Sequence, residues 1–293
     1  MGITQGQSEI WLYDVPSASL SRITWRSDEY RGSFDPVLSD DGSTIAFRSD
    51  SDFHGEGIAD NQWEIWLYTV ETGEFTRVTT TLAESRASSR PALNADGTRV
   101  CFDSDADFLG EGVAAGQYEI WLYDVTADEL TRVTNSPAED RNCLNAAISG
   151  DGSVIAFRSD YDFYDEGILD GQTEIWIYHV GTGVLERATW TFEAGRANLI
   201  PSISADGSTI AFYSDVDFLG DGIVDNQFEV WLFKLAVSAF VRLTVSSGEG
   251  RTSSLGSTSA DGEVVAFGSD SDFHEEGIAD DQREIWLWRH TED

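Results

Sequence analysis

The sequence predicts an all-β chain, a five-bladed β-propeller of 55-residue four-stranded repeats, and three observations predict it. First, Glu-Ile-Trp-Leu-Tyr or a close variant begins at Glu9, Glu64, Glu119, Glu174, Glu229 and Glu284, always 55 residues apart. Second, each repeat holds four short runs of strand-type residues bounded by turn signals. Third, the one proline-free window of helical length in each repeat lacks a 3.6-residue apolar period. Self-similarity at such a period marks repeat architectures, and four strands per repeat point to propeller blades. The repeats are residues 9–63, 64–118, 119–173, 174–228 and 229–283, with a partial copy at 284–290. The chain reads as a single domain over residues 1–293, with no internal linker.

The second repeat shows each element. Glu64–Val70 is apolar on nearly every position, which suits a strand covered on both faces by neighbouring blades. Glu71-Thr72-Gly73 is a turn, and Glu74–Thr79 is a second strand. Arg90–Asn94 is a short strand. Ala95-Asp96-Gly97 is a hairpin turn signal, and Thr98–Asp103 is the fourth strand. A loop, Ser104–Tyr118, leads to the next repeat. The repeated tryptophans Trp11, Trp66, Trp121, Trp176, Trp231 and Trp286 read as inter-blade packing, with sugar stacking as the alternative. Phe53, Phe108, Phe163, Phe218 and Phe273 read as plugs that seat the long loop on its blade.

Ser39–Asp50 and Ser204–Asp215 both read Ser-x-Asp-Gly-x-x-Ile-Ala-Phe-x-Ser-Asp. An Ile-Trp-Leu-Tyr strand and an Arg-x-Thr strand follow. This pattern resembles the TolB-type, WD40-like propeller repeat called PD40, over almost the whole chain. The motif is specific for fold and nearly silent on function. The resemblance implies an innermost strand ending at Ser-x-Asp-Gly, an outermost strand ending at Arg-x-Thr, and an exported setting. TolB-type propellers usually have six blades, whereas five are counted here, and the loop before the Trp strand is longer. With strands labelled A to D outward, the chain supplies one more C strand than A, B or D. Ring closure is therefore expected by exchange of N- and C-terminal strands, Leu20–Thr24 serving as strand D of the last blade. The surplus C strand would add a fifth strand at the outer edge or pair with another molecule, so a monomer and a strand-paired oligomer are both open.

Composition narrows the function. Hydrophobic residues make up 41% of the chain, which excludes wholesale disorder. No apolar run approaches the roughly 18 residues of a membrane span. Met1 to Ser8 is polar and has no signal-peptide core. The 53 acids against 18 bases give a net charge of −35, and Lys234 is the only lysine. Such a surface repels nucleic acid and anionic lipid and attracts cations. Salt adaptation, multivalent calcium binding and plain solubilisation all fit it. Cys101 and Cys143 are too few for a disulfide framework and read as free, small hydrophobes.

The long loop is Ser-Asp-x-Asp-Phe-x-x-acid-Gly-x-x-x-x-Gln-x-Glu. Its first acid is Asp50, Asp105, Asp160, Asp215 and Asp270. Its second is Asp52, Asp107, Asp162, Asp217 and Asp272, and its third is Glu56, Glu111, Glu166, Asp221 and Glu276. A fourth acid appears at Asp60, Asp170, Asp225 and Asp280. Several carboxylates within a dozen residues, with a glycine for the bend, suit a hard oxygen-liganded cation such as calcium. The spacing is not that of an EF-hand. One arginine per repeat, Arg31, Arg86, Arg141, Arg196 and Arg251, offers the other compensation, a bidentate bridge between aspartates with no metal. Metal binding and Asp–Arg networks therefore both remain open.

A glycosidase would need a carboxylate pair that breaks the repeat symmetry. Asp35 is the one clear blade-specific acid on strand A, beside Arg90, Asn145, Ile200 and Leu255 at the equivalent places. A salt bridge explains it without catalysis. His54, His179, His274 and His290 make no metal-ligand spacing, and neither a nucleophile elbow nor a Walker loop occurs. The reading is a non-catalytic, multivalent binding or scaffold module that engages a protein or glycan on its acidic long-loop face. A purely structural or engineered repeat array is the alternative, and a glycoside hydrolase the weakest.

Overall fold

The computed structural model describes residues 8–25, 31–59, 61–81, 86–136, 141–169, 171–193, 195–224, 226–246, 251–274, 277 and 282–290. The chain divides into two compact units, Met1–Arg132 and Val133–Asp293. The first holds β1 (Trp11–Asp14), β2 (Ser19–Arg22), β3 (Ser33–Leu38), β4 (Thr44–Ser49), β5 (Glu64–Thr69), β6 (Glu74–Arg77), β7 (Ser88–Leu93), β8 (Arg99–Ser104), β9 (Glu119–Asp124) and β10 (Glu129–Arg132). The second holds β11 (Cys143–Ile148), β12 (Val154–Ser159), β13 (Glu174–His179), β14 (Val184–Arg187), β15 (Asn198–Ile203), β16 (Thr209–Ser214), β17 (Glu229–Lys234), β18 (Ala239–Arg242), β19 (Ser253–Thr258), β20 (Val264–Ser269) and β21 (Glu284–Arg289). A single 3₁₀ turn, Leu235–Val237, is the only helical element among the described residues. Strand bounds in the second repeat lie within two residues of those the sequence predicts.

Four sheets are complete antiparallel meanders: β3-β4-β5-β6, β7-β8-β9-β10, β11-β12-β13-β14 and β15-β16-β17-β18. β1-β2 is a two-stranded sheet and β19-β20-β21 a three-stranded one. The expected exchange of terminal strands is therefore not the pairing found. Trp11 lies opposite Arg22 within the β1–β2 hairpin, and among the described residues β21 bonds to β20 alone. A four-residue turn, 15–18, joins β1 to β2. Closing so short a loop costs far less chain entropy than joining segments at opposite ends of the sequence. Among the described residues four sheets have all four strands, so a count of five blades is not confirmed.

Local chemistry explains each meander. At the A–B turn, Asp41 accepts hydrogen bonds from the Ser39 hydroxyl at 2.6 Å and the Ser43 amide at 2.9 Å, while Gly42 takes φ +73°. The same aspartate recurs at Asp96, Asp151, Asp206 and Asp261, each held below the ordinary carboxylate range mainly by a side-chain hydroxyl bond. Strand A carries a bulge, with the register shifting between Phe34 and Val37 and at each counterpart. Its left-handed residue is Asp35, Arg90, Asn145 or Ile200, with φ of 53°, 50°, 59° and 42°.

Strands C and D are clamped by a buried ion pair. Glu64, fully buried at the start of β5, meets Arg77 at 2.8 Å and accepts bonds from the Thr79 hydroxyl and, at 2.9 Å, the Thr81 amide. Glu119–Arg132, Glu174–Arg187 and Glu229–Arg242 repeat the pair at 2.9, 2.6 and 3.0 Å. Glu9–Arg22 makes it in the β1–β2 hairpin at 2.7 Å. Glu284 on β21 is exposed, and its described partner is Gln282 at 2.6 Å.

The core lies between sheets. Trp66, Trp121, Trp176 and Trp231 are fully buried. Trp121 packs with Phe102 of its own sheet and with Ala46, Ile65 and Leu67 of the preceding one. In the second unit Trp231 meets Ala156, Ile175 and Ile177 in the same way. The inter-blade role read from the repeat is thus found at Trp121 and Trp231, whereas Trp11 is 44% exposed and Trp286 only partly buried. Each loop phenylalanine sits edge-to-face on its tryptophan, at 4.9 Å for Phe53 and 4.8–5.1 Å for the other four. Cys101 and Cys143 are buried thiols outside any disulfide, and burial followed by the Asp103 charge pushes the Cys101 thiol far above its ordinary value.

Candidate functional site

The long B–C loop and the D–A segment that follows strand D meet in each repeat, and the first acid joins them. Asp50 accepts the Gly32 amide at 2.9 Å and, through its other oxygen, the Asn61 amide at 3.2 Å. Asp105 does so with Ala87 and Gly116, at 2.7 and 2.9 Å, and Asp215 with Ala197 and Asn226, at 2.8 and 3.1 Å. Asp160 and Asp270 take the Asn142 and Thr252 amides at 2.7 and 2.6 Å.

The second acid closes the loop on itself. Asp52 accepts the amides of Glu56 and Gly57 at 2.8 and 2.7 Å. Asp107, Asp162 and Asp217 bond their equivalents at 2.7–2.9 Å, and Asp272 meets Gly277 at 2.6 Å. The bend needs φ of 87° at Gly57 and 84–91° at its four counterparts, a region that glycine alone occupies without strain. Desolvation pushes the carboxyls of Asp52, Asp107, Asp162 and Asp217 upward, but their amide bonds outweigh it and hold all four below the ordinary range.

The third acid turns to the clamp arginine. Glu56 meets Arg77 at 3.1 Å, Glu111 meets Arg132 at 3.9 Å and Glu166 meets Arg187 at 3.6 Å. Asp221 is exposed, while Glu276, Asp60, Asp170, Asp225 and Asp280 lie outside the described residues. Among the described residues no three acidic, histidine or cysteine side chains converge as a metal would require. In the first three long loops the three acids each serve a different partner.

The loop arginines lie beside these acids, and each donates to main-chain carbonyls, while Arg196 also pairs with the Glu193 carboxylate at 3.1 Å. Arg31, Arg86 and Arg251 donate to the carbonyls of Asp50, Asp105 and Asp270. Arg141 and Arg196 donate to those of Asp160 and Asp215 at 2.9 and 2.5 Å. Arg31, Arg86 and Arg196 also reach the carbonyls of Ile58, Val113 and Ile223 further along the loop, at 2.7, 3.2 and 3.4 Å.

Asp35 has a partner that the linear pattern does not name. Its carboxylate meets Arg48 of β4 at 2.8 Å. In the next sheet the polarity is reversed: Arg90 grips Asp103 of β8 through two bonds of 2.9 Å. In the third, Arg158 donates to Asn145 at 2.9 Å. Asp103 is the second blade-specific acid, and the signal was an acid–base exchange at positions 13 residues apart.

No protein-family model matches the sequence, and no curated protein matches it. Solved structures share its fold. TolB from Acinetobacter baumannii is 21% identical with a TM-score of 0.54, covering 89% of this chain and 56% of its own. The chain thus spans little more than half the length of that TolB. An oligogalacturonate lyase from Vibrio parahaemolyticus is 12% identical with a TM-score of 0.60, covering 97% and 69% of the two chains. A puromycin-hydrolyzing peptidase of Mycobacterium tuberculosis is 13% identical with a TM-score of 0.59, over 96% and 39%. At such identities the likeness concerns fold alone.

Proposed function

We propose that this chain, which has a TolB-like, PD40-type β-propeller fold, is a non-catalytic binding module for a cationic protein partner, engaged through the long-loop face. The observation that carries the reading is the use already made of the loop acids. Asp50 and Asp52 hold main-chain amides, and Glu56 holds Arg77. They brace the loops, and the net charge of −35 acts as a field that steers positive partners. The two blade-specific acids favour the same reading. Asp35 and Asp103 are each tied to an arginine of their own sheet, an arrangement suited to structure rather than to proton transfer. A glycan ligand, a scaffold with no ligand and a glycoside hydrolase are the competing readings.

The test is selection of displayed random peptides on the immobilised chain, beside a hydrolysis and lyase screen over glycans. Enrichment of basic peptides that salt elutes, with no turnover, is the expected result. Turnover of any glycan that is lost in Asp35→Asn overturns the reading, and so does a selection that enriches nothing.

A further inference from the structure

The long-loop face departs from its fivefold pattern at one place in the second unit. Trp190 stands where the other repeats have Trp25, Thr80, Asn135 and Val245, and Phe192 where they have Ser27, Leu82, Pro137 and Ser247. Only one repeat carries both aromatics. The same repeat has Glu186 where the others have Ser21, Thr76, Thr131 and Val241, and Tyr164 in place of leucine or histidine. Residues so scattered in sequence line one groove. It consists of two adjoining depressions of about 340 and 420 Å³ that share Trp190 and Phe240 as a common wall. Each is large enough for one bulky side chain and its flanking main chain.

The groove is apolar at its centre and acidic at its edges. Phe218 and Phe240 stack at 4.1 Å beneath it, and Phe192 stands 87% exposed at its mouth. The indole of Trp190 is 42% exposed and rests on the Arg187 guanidinium at 4.3 Å. Arg187 is itself pinned by buried Glu174, so the ring lies on a rigid shelf. Glu166, Glu186, Glu193 and Asp217 line the two depressions against Arg187 and Arg196. The lining is therefore net negative. An exposed aromatic pair on a soluble surface, rimmed by acids, fits an apolar side chain flanked by positive charge.

We propose that this groove is the specificity site of the module, and that it takes a peptide segment with an aromatic or aliphatic side chain next to arginine or lysine. The proposal rests on the binding-module reading. The apolar side chain enters against Trp190, Phe192 and Phe240, and the cationic neighbours meet Glu186 and Glu193. The other repeats lack this combination, so one chain takes one peptide here.

The probe is the blocked tetrapeptide acetyl-Arg-Leu-Arg-Phe-amide, titrated calorimetrically, with acetyl-Glu-Leu-Glu-Phe-amide and cellotetraose as comparators. Saturation at one peptide per chain is expected, with no heat from either comparator. Phe192→Leu and Trp190→Thr install residues that other repeats carry at these places, and each is expected to weaken binding about 10-fold or more. Glu186→Thr is expected to flatten the salt dependence. Phe192 is too exposed for its loss to threaten the fold. Several peptides per chain, or unchanged affinity in Phe192→Leu and Trp190→Thr, overturn the groove while leaving the binding module standing. Saturation by cellotetraose, or no binding of the basic peptide, overturns the cationic occupant, and the display selection then judges the module separately.

Discussion

Glu174 and Arg187 meet at 2.6 Å across β13 and β14, with the glutamate side chain 0% and the arginine 4% exposed. The pair is dry, and each carboxylate oxygen has further donors in the Thr189 hydroxyl and the Thr191 amide. Removing Glu174 leaves buried Arg187 with only the longer 3.6 Å contact to Glu166, and breaking a buried pair typically costs about 3–5 kcal/mol. Glu174→Ala should lower the urea midpoint accordingly. Glu284→Ala, at an exposed copy of the same position, should change stability by no more than about 0.5 kcal/mol. Equal effects of the two substitutions would contradict the clamp.

Ile200 occupies the bulge of β15 with φ 42°, a left-handed conformation that a β-branched side chain resists. Asn145 holds the same place in β11 at φ 59°. Ile200→Asn should therefore stabilise the chain by about 1 kcal/mol, since Ile200 is 42% exposed and gives up little burial. Unfolding in urea measures it, and a loss of stability would show that packing of Ile200 outweighs its backbone strain.

The depressed carboxyls of Asp52, Asp107, Asp162 and Asp217 set an acid limit. The folded chain binds their protons more weakly than the unfolded chain does. The stability they lend is complete above the unfolded carboxylate pKa, roughly 3.9, and drains as pH falls through the lower folded values. Asp52→Asn/Asp162→Asn should be less stable at neutral pH and lose stability less steeply in acid. Melting temperatures followed from neutral to strongly acidic pH test this, and an unchanged slope would refute it.

In the binding-module reading no calcium-specific effect is expected, because Asp50, Asp52 and Glu56 already hold amides and an arginine. Melting in EDTA, in EDTA with excess calcium, and in sodium chloride of equal ionic strength should show both salts raising the transition together by screening the net charge. A true site would add about 2.7 kcal/mol at a hundred-fold excess over Kd. A rise specific to calcium would make the loops metal sites.

Much of the fold could be read in advance because five copies of one pattern corroborate each other. Glu64–Thr69 and Arg99–Ser104 fall where alternation and turn residues put them. The partner of Asp35 was hidden because the bulge inserts a left-handed residue and resets the register, so a simple period of two no longer tells what Asp35 faces. Glu64 was hidden by its company: it opens an apolar strand, and only the recurrence of Arg-x-Thr 13 residues on hints at a buried ion pair. Strand counting showed a surplus C strand, but β2 carries a sequence suited to either neighbour, and the shorter loop decided for β1. The groove at Trp190 is not legible in the repeat, because Trp190 and Phe192 occupy positions whose residue type changes from copy to copy.

β21 pairs on one side, exposes Ile285 and Leu287, and begins at a glutamate with no arginine among its described partners. Every other sheet that contains a C strand fastens it to D through that ion pair. Opening is then graded along the chain: amide hydrogens of β21 should exchange with solvent first, those of β17 and β13 last. A protease offered the native protein would enter at this sheet, leaving the four complete sheets as the resistant fragment.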